Sequence, residues 1–295
     1  MPTPATSDVS VIIPYYNREQ YIDEAIQSVL AQTLHPLEVI IVNDCSREVS
    51  RRYLDRYAGV CTIVDLPVNV GLAAARNEGI YRARGRWIAF LDDDDIWLPE
   101  KLAVQMRYME ENPACDAVQS AVWAFFMHRP DELWGFDRPS PLTLAQALTR
   151  EYSMLQPTML IRADVVRALG GYDSRFRRAQ DYEFMIRFAA AGYRMESIRE
   201  PLARARRQGH DCATKHNWSM FLAHLRLCRK HRALYYRVYG GRGIVKYILV
   251  NLEIHSRRVR HVGGAMRLLV RLIPMKWQVR PDYEEPVQRE VSSVA

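Results

Sequence analysis

Four consecutive carboxylates, Asp92, Asp93, Asp94 and Asp95, follow directly on the apolar run Trp87-Ile88-Ala89-Phe90-Leu91. A buried strand that ends in so much negative charge asks for a cation, because like charges a few ångströms apart oppose one another's ionisation. Ligand sites in open α/β sheets lie beyond the carboxyl ends of strands. A hard divalent ion there, Mg²⁺ or Mn²⁺, would take carboxylate oxygens together with the oxygens of a substrate phosphate. The plain alternative is a solvated acidic turn whose aspartates cap the helix opened by Pro99. A cap needs one aspartate, and four exceed that need, which favours a metal site.

Two more apolar runs end in polar groups. Val9-Ser10-Val11-Ile12-Ile13-Pro14 leads to Tyr15-Tyr16-Asn17, and Glu38-Val39-Ile40-Ile41-Val42 leads to Asn43-Asp44. In a parallel sheet such ends share one edge, where a nucleotide fits: a carboxylate accepts from the base, an aromatic or backbone group lies near the ring, and a metal meets the phosphates. The loop Asn69-Val70-Gly71 opens a helix bearing Arg76 and Asn77, which brings a cation towards the same ligand. Read alone, Arg76 is a surface ion pair. Asp181 stands at the head of a stretch with apolar Phe184, Met185, Phe188 and Ala189, and by itself is a helix cap.

The elements that must position these residues alternate. Ile22, Ala25, Ile26, Val29 and Leu30 fall on one face of a helix. A helix near Glu48 to Tyr57, a strand near Cys61 to Leu66 and a small-residue helix near Leu72 to Ala83 follow, then the strand that ends in the aspartates. Strand and helix in turn imply a parallel sheet covered on both faces, an α/β fold. Strands are expected over Ala117 to Phe126 and Thr158 to Ile161, and a loop over the sheet, a candidate lid, at Arg129 to Pro141. From about Thr214 the pattern is helical, and the tail after Pro281 is expected to be poorly ordered.

The formal net charge of +7 hides an asymmetry. Residues 199–280 hold 19 Lys and Arg against 3 Asp and Glu, or +16, which leaves −9 for the rest. A basic arm of this kind suits nucleic acid, an anionic membrane surface or an anionic substrate. No nucleic-acid signature accompanies it. Short apolar runs such as Tyr247-Ile248-Leu249-Val250 amid Arg and Lys favour helices lying in a membrane interface, with packing helices that carry solvated basic faces as the alternative. Neither run can span a bilayer. The five cysteines have no metal-ligand spacing and the N-terminal residues lack a basic and apolar signal pattern, so free thiols and a cytoplasmic chain are expected, peripheral on the inner face of the plasma membrane if the arm binds lipid.

Taken in order, VSVIIPYYNREQYIDEAIQSVLAQT, VIIVNDCS, NVGLAAARNEG, WIAFLDDDDIWLPEKL and GGYDSRFRRAQDYEFMIRFAAAG resemble glycosyltransferase family two, inverting enzymes of the GT-A fold. The likeness covers residues 8–200. It implies a GT-A domain over 1–200, and the charge and helical pattern beyond it give a basic helical extension over 201–280 and a poorly ordered tail over 281–295. The resemblance further implies that Pro14 and Tyr16 line the base pocket, that Asp44 contacts the base, and that Arg76 lies beside base or diphosphate. Asp92 and Asp94 match the ends of the family's Asp-x-Asp motif, with Asp94 foremost as metal ligand, Asp93 counted with the nucleotide-sugar site and Asp95 as support. Asp181 matches the catalytic aspartate that takes the proton of the acceptor hydroxyl. The partners so implied are a nucleotide-sugar donor, UDP-linked by preference, and a glycan or lipid-linked acceptor of cell-surface polysaccharide or glycolipid synthesis. Asn43 and Gln180 stand where relatives often carry acids, and His210 falls where some place a loop that closes over the diphosphate. The alternatives are a sugar-phosphate nucleotidyltransferase, although Pro14-Tyr15-Tyr16-Asn17 lacks its glycine-rich loop, and a scaffold without turnover.

Overall fold

The computed structural model describes residues 6–126, 129–136, 141–149, 156–207 and 217–256. Its first half runs β1 (Val9–Tyr15), α1 (Ile22–Leu30), β2 (Glu38–Asn43), α2 (Glu48–Arg52), β3 (Thr62–Asp65), α3 (Leu72–Arg82), β4 (Trp87–Phe90), β5 (Ile96–Trp97) and α4 (Lys101–Glu111). The second half continues with β6 (Ala117–Phe126), β7 (Arg129–Phe136), α5 (Leu144–Leu148), β8 (Met159–Arg162), α6 (Ala163–Ala168), α7 (Gln180–Ala190) and β9 (Met195–Arg207). Two helices close it, α8 (Asn217–Lys230) and α9 (Arg232–Ser256).

β1 is buried at all seven positions, as a strand covered on both faces must be. It pairs in parallel with β2 and β4, and β3 adds in parallel to β2. Successive side chains point to opposite faces and feed two cores. Ile12, Ile40 and Phe90 face the core that takes α3 and α7, whereas Val11, Ile13, Ile41 and Leu91 face the one that takes α1 and α4. Helix α3 lies so near β1 that a Cβ at Gly79 would stand 2.4 Å from Ile12 Cγ2. That close seat fixes the direction in which α3 presents Arg76.

The sheet order is β3-β2-β1-β4-β8-β6-β9-β5, with β7 on β6. The expected all-parallel sheet holds only as far as β4. β8 runs antiparallel to β4, β6 antiparallel to β8, and β5 antiparallel to β9. The cause is that strand and helix cease to alternate after α4. The expected lid is corrected as well: Arg129–Phe136 is a strand, paired antiparallel with the outer half of β6. The boundary expected after residue 200 falls inside β9, whose Pro201–Arg207 half still pairs with β6 and, at Ala203 and Arg204, with β5.

Helices α8 and α9 are bound to the sheet domain. Leu227, Cys228, Tyr235 and Val238 share a core with Phe184 and Phe188 of α7. Beneath them Glu183, wholly buried, accepts from Arg187 at 2.8–2.9 Å and from Lys230 at 2.5 Å, with His231 Nε2 at 3.2 Å. Burial pushes this carboxyl up, but the three basic partners outweigh it and hold Glu183 down to about 2. Among the described residues no helix is long and apolar enough to cross a membrane, and Cys45, Cys61, Cys115 and Cys228 are free thiols. His210 and residues 257–295 lie outside the described residues.

Candidate active site

β1, β2 and β4 all end on one side of the sheet, and there a cleft of about 680 Å³ opens. Pro14 and Tyr16 from the end of β1, Asp44 from the end of β2, and Asp92, Asp93 and Asp94 from the end of β4 line it together. Arg76 and Asp181 do not line it. They are joined to it through Asp92, because the Arg76 guanidinium, 1% exposed, donates to Asp92 Oδ1 at 2.6 Å and to Asp181 Oδ1 at 2.9 Å. The surface ion pair that Arg76 suggests on its own is thus a buried bridge between two carboxylates. Burial opposes its charge, and Asp92 and Asp181 outweigh burial and raise its pKa.

Asp44 organises the wall opposite. It is buried, and it accepts from Asn69 Nδ2 at 3.0 Å, from the amide of Val70 at 2.7 Å and from that of Gly71 at 2.9 Å. Gly71 precedes α3 with φ at 88°, a left-handed conformation that suits glycine and turns its amide inward. A carboxylate offers about four acceptor sites, so one remains on Oδ1 for a ligand.

The aspartate block is a tight turn closed by the Asp95 amide on the Asp92 carbonyl at 3.1 Å. Asp95 faces away from the cleft and accepts from the Arg206 amide at 2.8 Å, while Arg206 Nε donates to the Asp94 carbonyl at 2.9 Å. Strand β9 therefore braces the turn. Asp93 accepts from the Tyr16 amide at 3.2 Å, and Arg18 reaches both Asp93 and Asp94. Burial pushes Asp93 up to about 7 and raises Asp94 too, in each case against the pull of Arg18. The ionised block is under-compensated by its own protein.

The donor set fits a hard divalent cation. One oxygen of Asp92 and one of Asp94 accept from Arg76 and Arg18, which leaves the other oxygen of each without a bond from another described residue. No group of three or more His, Cys, Asp or Glu is placed to hold one metal ion together among the described residues. Two carboxylates are nonetheless enough for an ion that keeps water and substrate phosphates in its shell.

Asp181 opens α7 after Ala179, which has φ at 57°, and its side chain is 28% exposed. Gln156 Nε2 joins Arg76 on Asp181 Oδ1, at 3.0 Å, and Tyr172 donates to Gln156 Oε1 at 2.7 Å. Both donors meet one oxygen, so Oδ2 is open among the described residues. Burial raises the pKa of Asp181 against Arg76. Sequence reasoning missed Arg18, Gln156 and Arg206. Arg18 carries a signal, a lone cation in the first loop of a sheet whose other loops are acidic, but Gln156 and Arg206 gain their parts only from tertiary pairing.

The description "Glycosyl transferase family 2" matches residues 10–170. An uncharacterized glycosyltransferase of Methanocaldococcus jannaschii is 32% identical over 212 residues, 69% of this chain and 72% of that protein. The amylovoran biosynthesis glycosyltransferase AmsE of Erwinia amylovora is 28% identical over 236 residues, 76% of this chain and 86% of its own. Among solved structures, TarS 1-349 of S. aureus in complex with UDP-GlcNAc superimposes with a TM-score of 0.64 at 19% identity, over 88% of this chain and 76% of that one. The chain belongs to glycosyltransferase family 2 and has its GT-A fold. It is a glycosyltransferase.

Proposed function

We propose that the enzyme moves a sugar from a UDP-sugar to a hydroxyl of a glycan or lipid-linked acceptor, with inversion and with Mg²⁺ or Mn²⁺, in the synthesis of a cell-surface polysaccharide or glycolipid. The carrying observation is the chain of contacts from the cleft to the base: Asp92 lines the cleft, Arg76 holds Asp92, and the same guanidinium holds Asp181. The relative named for amylovoran biosynthesis and the UDP-GlcNAc complex of TarS support the choice of pathway class and donor.

Pro14 and Tyr16 form the wall for the base, and the remaining lone pair of Asp44 accepts from it. Asp94 and Asp92 would hold the metal, which when bound stabilises charge on the departing nucleoside diphosphate as a Lewis acid. Asp181 accepts the proton of the acceptor hydroxyl at Oδ2. Its raised pKa makes it a stronger base than a solvated aspartate, and Arg76 and Gln156, both on Oδ1, aim the other oxygen. Asp93 and Arg18 secure the Tyr16 loop.

Purified protein is to be given a panel of nucleotide sugars with Mn²⁺ or Mg²⁺, with and without acceptors, while nucleoside diphosphate release is followed. Release from UDP-sugars, dependent on metal, and a product of opposite anomeric configuration are expected. Release without metal, or retained configuration, would sink the corresponding part of the proposal.

Reversible binding to anionic membranes belongs to the same reading. Trp218, Leu222, Tyr236 and Val245 are exposed on α8 and α9, among the basic residues of that region. Arg206, Arg226 and Lys230, however, bind the protein's own domain. Sedimentation with anionic liposomes at low salt tests it, and a protein left in the supernatant rejects it.

A further inference from the structure

A second cavity, also of about 680 Å³, lies between the loop that precedes α7 and the flank of α8. Arg175, Arg177, Arg178 and Arg226 line it, with Leu222 and Ala223 as its apolar side. Arg177 and Arg178 also line the nucleotide cleft, so one short segment walls both spaces. Four arginines with no carboxylate among the lining residues make an anion site by composition.

Two of the four lack a polar partner among the described residues. Arg177 is exposed and Arg178 half-buried, and neither makes an ion pair or hydrogen bond to another described residue. The nearby acids are already engaged: Asp173 pairs with Arg175 and Lys230 at 2.7 Å each, and Glu183 with Arg187, Lys230 and His231. Arg226 donates from Nη1 to the Arg175 carbonyl at 2.9 Å, which ties α8 to the loop and leaves its other N–H groups for a ligand.

Position supplies the meaning. Arg178 precedes Asp181 by three residues, a reach of about 11 Å at most. A molecule that offers its hydroxyl to Asp181 has its flank beside this loop. We propose that the arginine cavity is the acceptor subsite and that the acceptor carries a phosphoryl group there, which Arg177, Arg178 and Arg226 bind. The assignment rests on the reading of Asp181 as the base on the acceptor side. The phosphoryl group has two chemical sources, a diphosphate linking a glycan to a lipid or a phosphate within the glycan itself. Leu222 and Trp218, exposed four residues apart on α8, extend the cavity towards an apolar chain in the first case.

The test is calorimetric and uses the full chain. UDP with Mn²⁺ is titrated first, alone. Inorganic phosphate, and separately farnesyl diphosphate, are then titrated with and without saturating UDP. Phosphate binding that persists under saturating UDP is expected, since the two spaces are distinct. R177Q, which removes no ion pair or hydrogen bond to another described residue, and R226Q, which lies outside the nucleotide cleft, are each expected to weaken it about tenfold. R226Q is expected to keep UDP affinity within about twofold. Farnesyl diphosphate binding tighter than phosphate and sensitive to Leu222→Ser assigns the lipid source, and equal, Leu222-insensitive binding assigns the glycan source. Phosphate that UDP displaces completely, or that both variants bind as well as wild type, overturns the proposal. Failure of UDP itself to bind rejects the donor reading instead, and the phosphate titrations without UDP still decide this one.

Discussion

Glu183 on α7 and the aspartates after β4 form two acidic sites, and the protein treats them in opposite ways. At Glu183 one carboxylate meets Arg187, Lys230 and His231, every charge has a partner, and the acid is held far below its ordinary range. At the end of β4 Asp92, Asp93 and Asp94 share Arg18, Arg76 and the Tyr16 amide, and Asp93 and Asp94 are pushed upward. A fully compensated cluster is a clamp, because no ligand can improve it. An under-compensated one stores a demand for positive charge that a ligand meets.

The comparison can be broken at four places. The largest effect is expected from Asp181→Asn, which keeps shape and the bonds from Arg76 and Gln156 in part but cannot take a proton. Turnover should fall about 10³-fold with donor affinity nearly unchanged, measured as kcat against the UDP-sugar Kd. Near-normal turnover would return Asp181 to the rank of a helix cap.

Glu183→Gln strikes the clamp. It leaves Lys230 and Arg187 facing a neutral amide, and should cost about 3 kcal/mol of stability at pH 7 in chemical denaturation. UDP affinity should hardly change. Because the folded carboxyl lies below its ordinary value of 4.5, its contribution is present above that pH and lost as pH falls towards about 2. The difference between wild type and variant should therefore shrink in acid.

Asp94→Ala should weaken UDP binding in Mn²⁺ about 30-fold, near 2 kcal/mol, while leaving the metal-free fold as stable or slightly more so. Equal affinity by calorimetry would remove Asp94 from the metal site. The smallest effect sharpens the contrast by its sign. Asp93 has an ordinary value of 3.8 and a folded value of about 7, so the fold keeps its proton longer than the unfolded chain and loses stability as pH rises between those values. Asp93→Asn should raise the stability of the metal-free protein at pH 8 and leave it nearly unchanged near pH 4, read from thermal melts. A pH profile parallel to that of Glu183→Gln would erase the distinction between the two sites.

Much of the first half was legible because β1, β2 and β4 are buried on both faces and their apolar runs end abruptly, at Pro14, Asn43 and Asp92. Their apolar runs and polar stops locate the cleft together. The second half hides its strands. In β7 the residues Pro130, Asp131 and Glu132 have the composition of a loop, and only pairing to β6 makes them a strand. β9 interleaves Arg199, Arg204 and Arg206 with apolar residues, and its charges suggested an arm where the sheet in fact continues. Arg76 was found and its partners were not, since nothing in the spacing of Arg76, Asp92 and Asp181 announces that one guanidinium meets both. That depends on the seat of α3 against Ile12.

The course of β9 also sets where this protein can be cut and joined. A single strand pairs with β6, pairs with β5, reaches the aspartate turn through Arg206 and then leads to the helices that Glu183 anchors. A chimera that exchanges everything after residue 200 would sever it midway and remove the brace from the turn. The smallest interchangeable N-terminal unit ends after Arg207, and a graft that leaves β9 whole begins only beyond it.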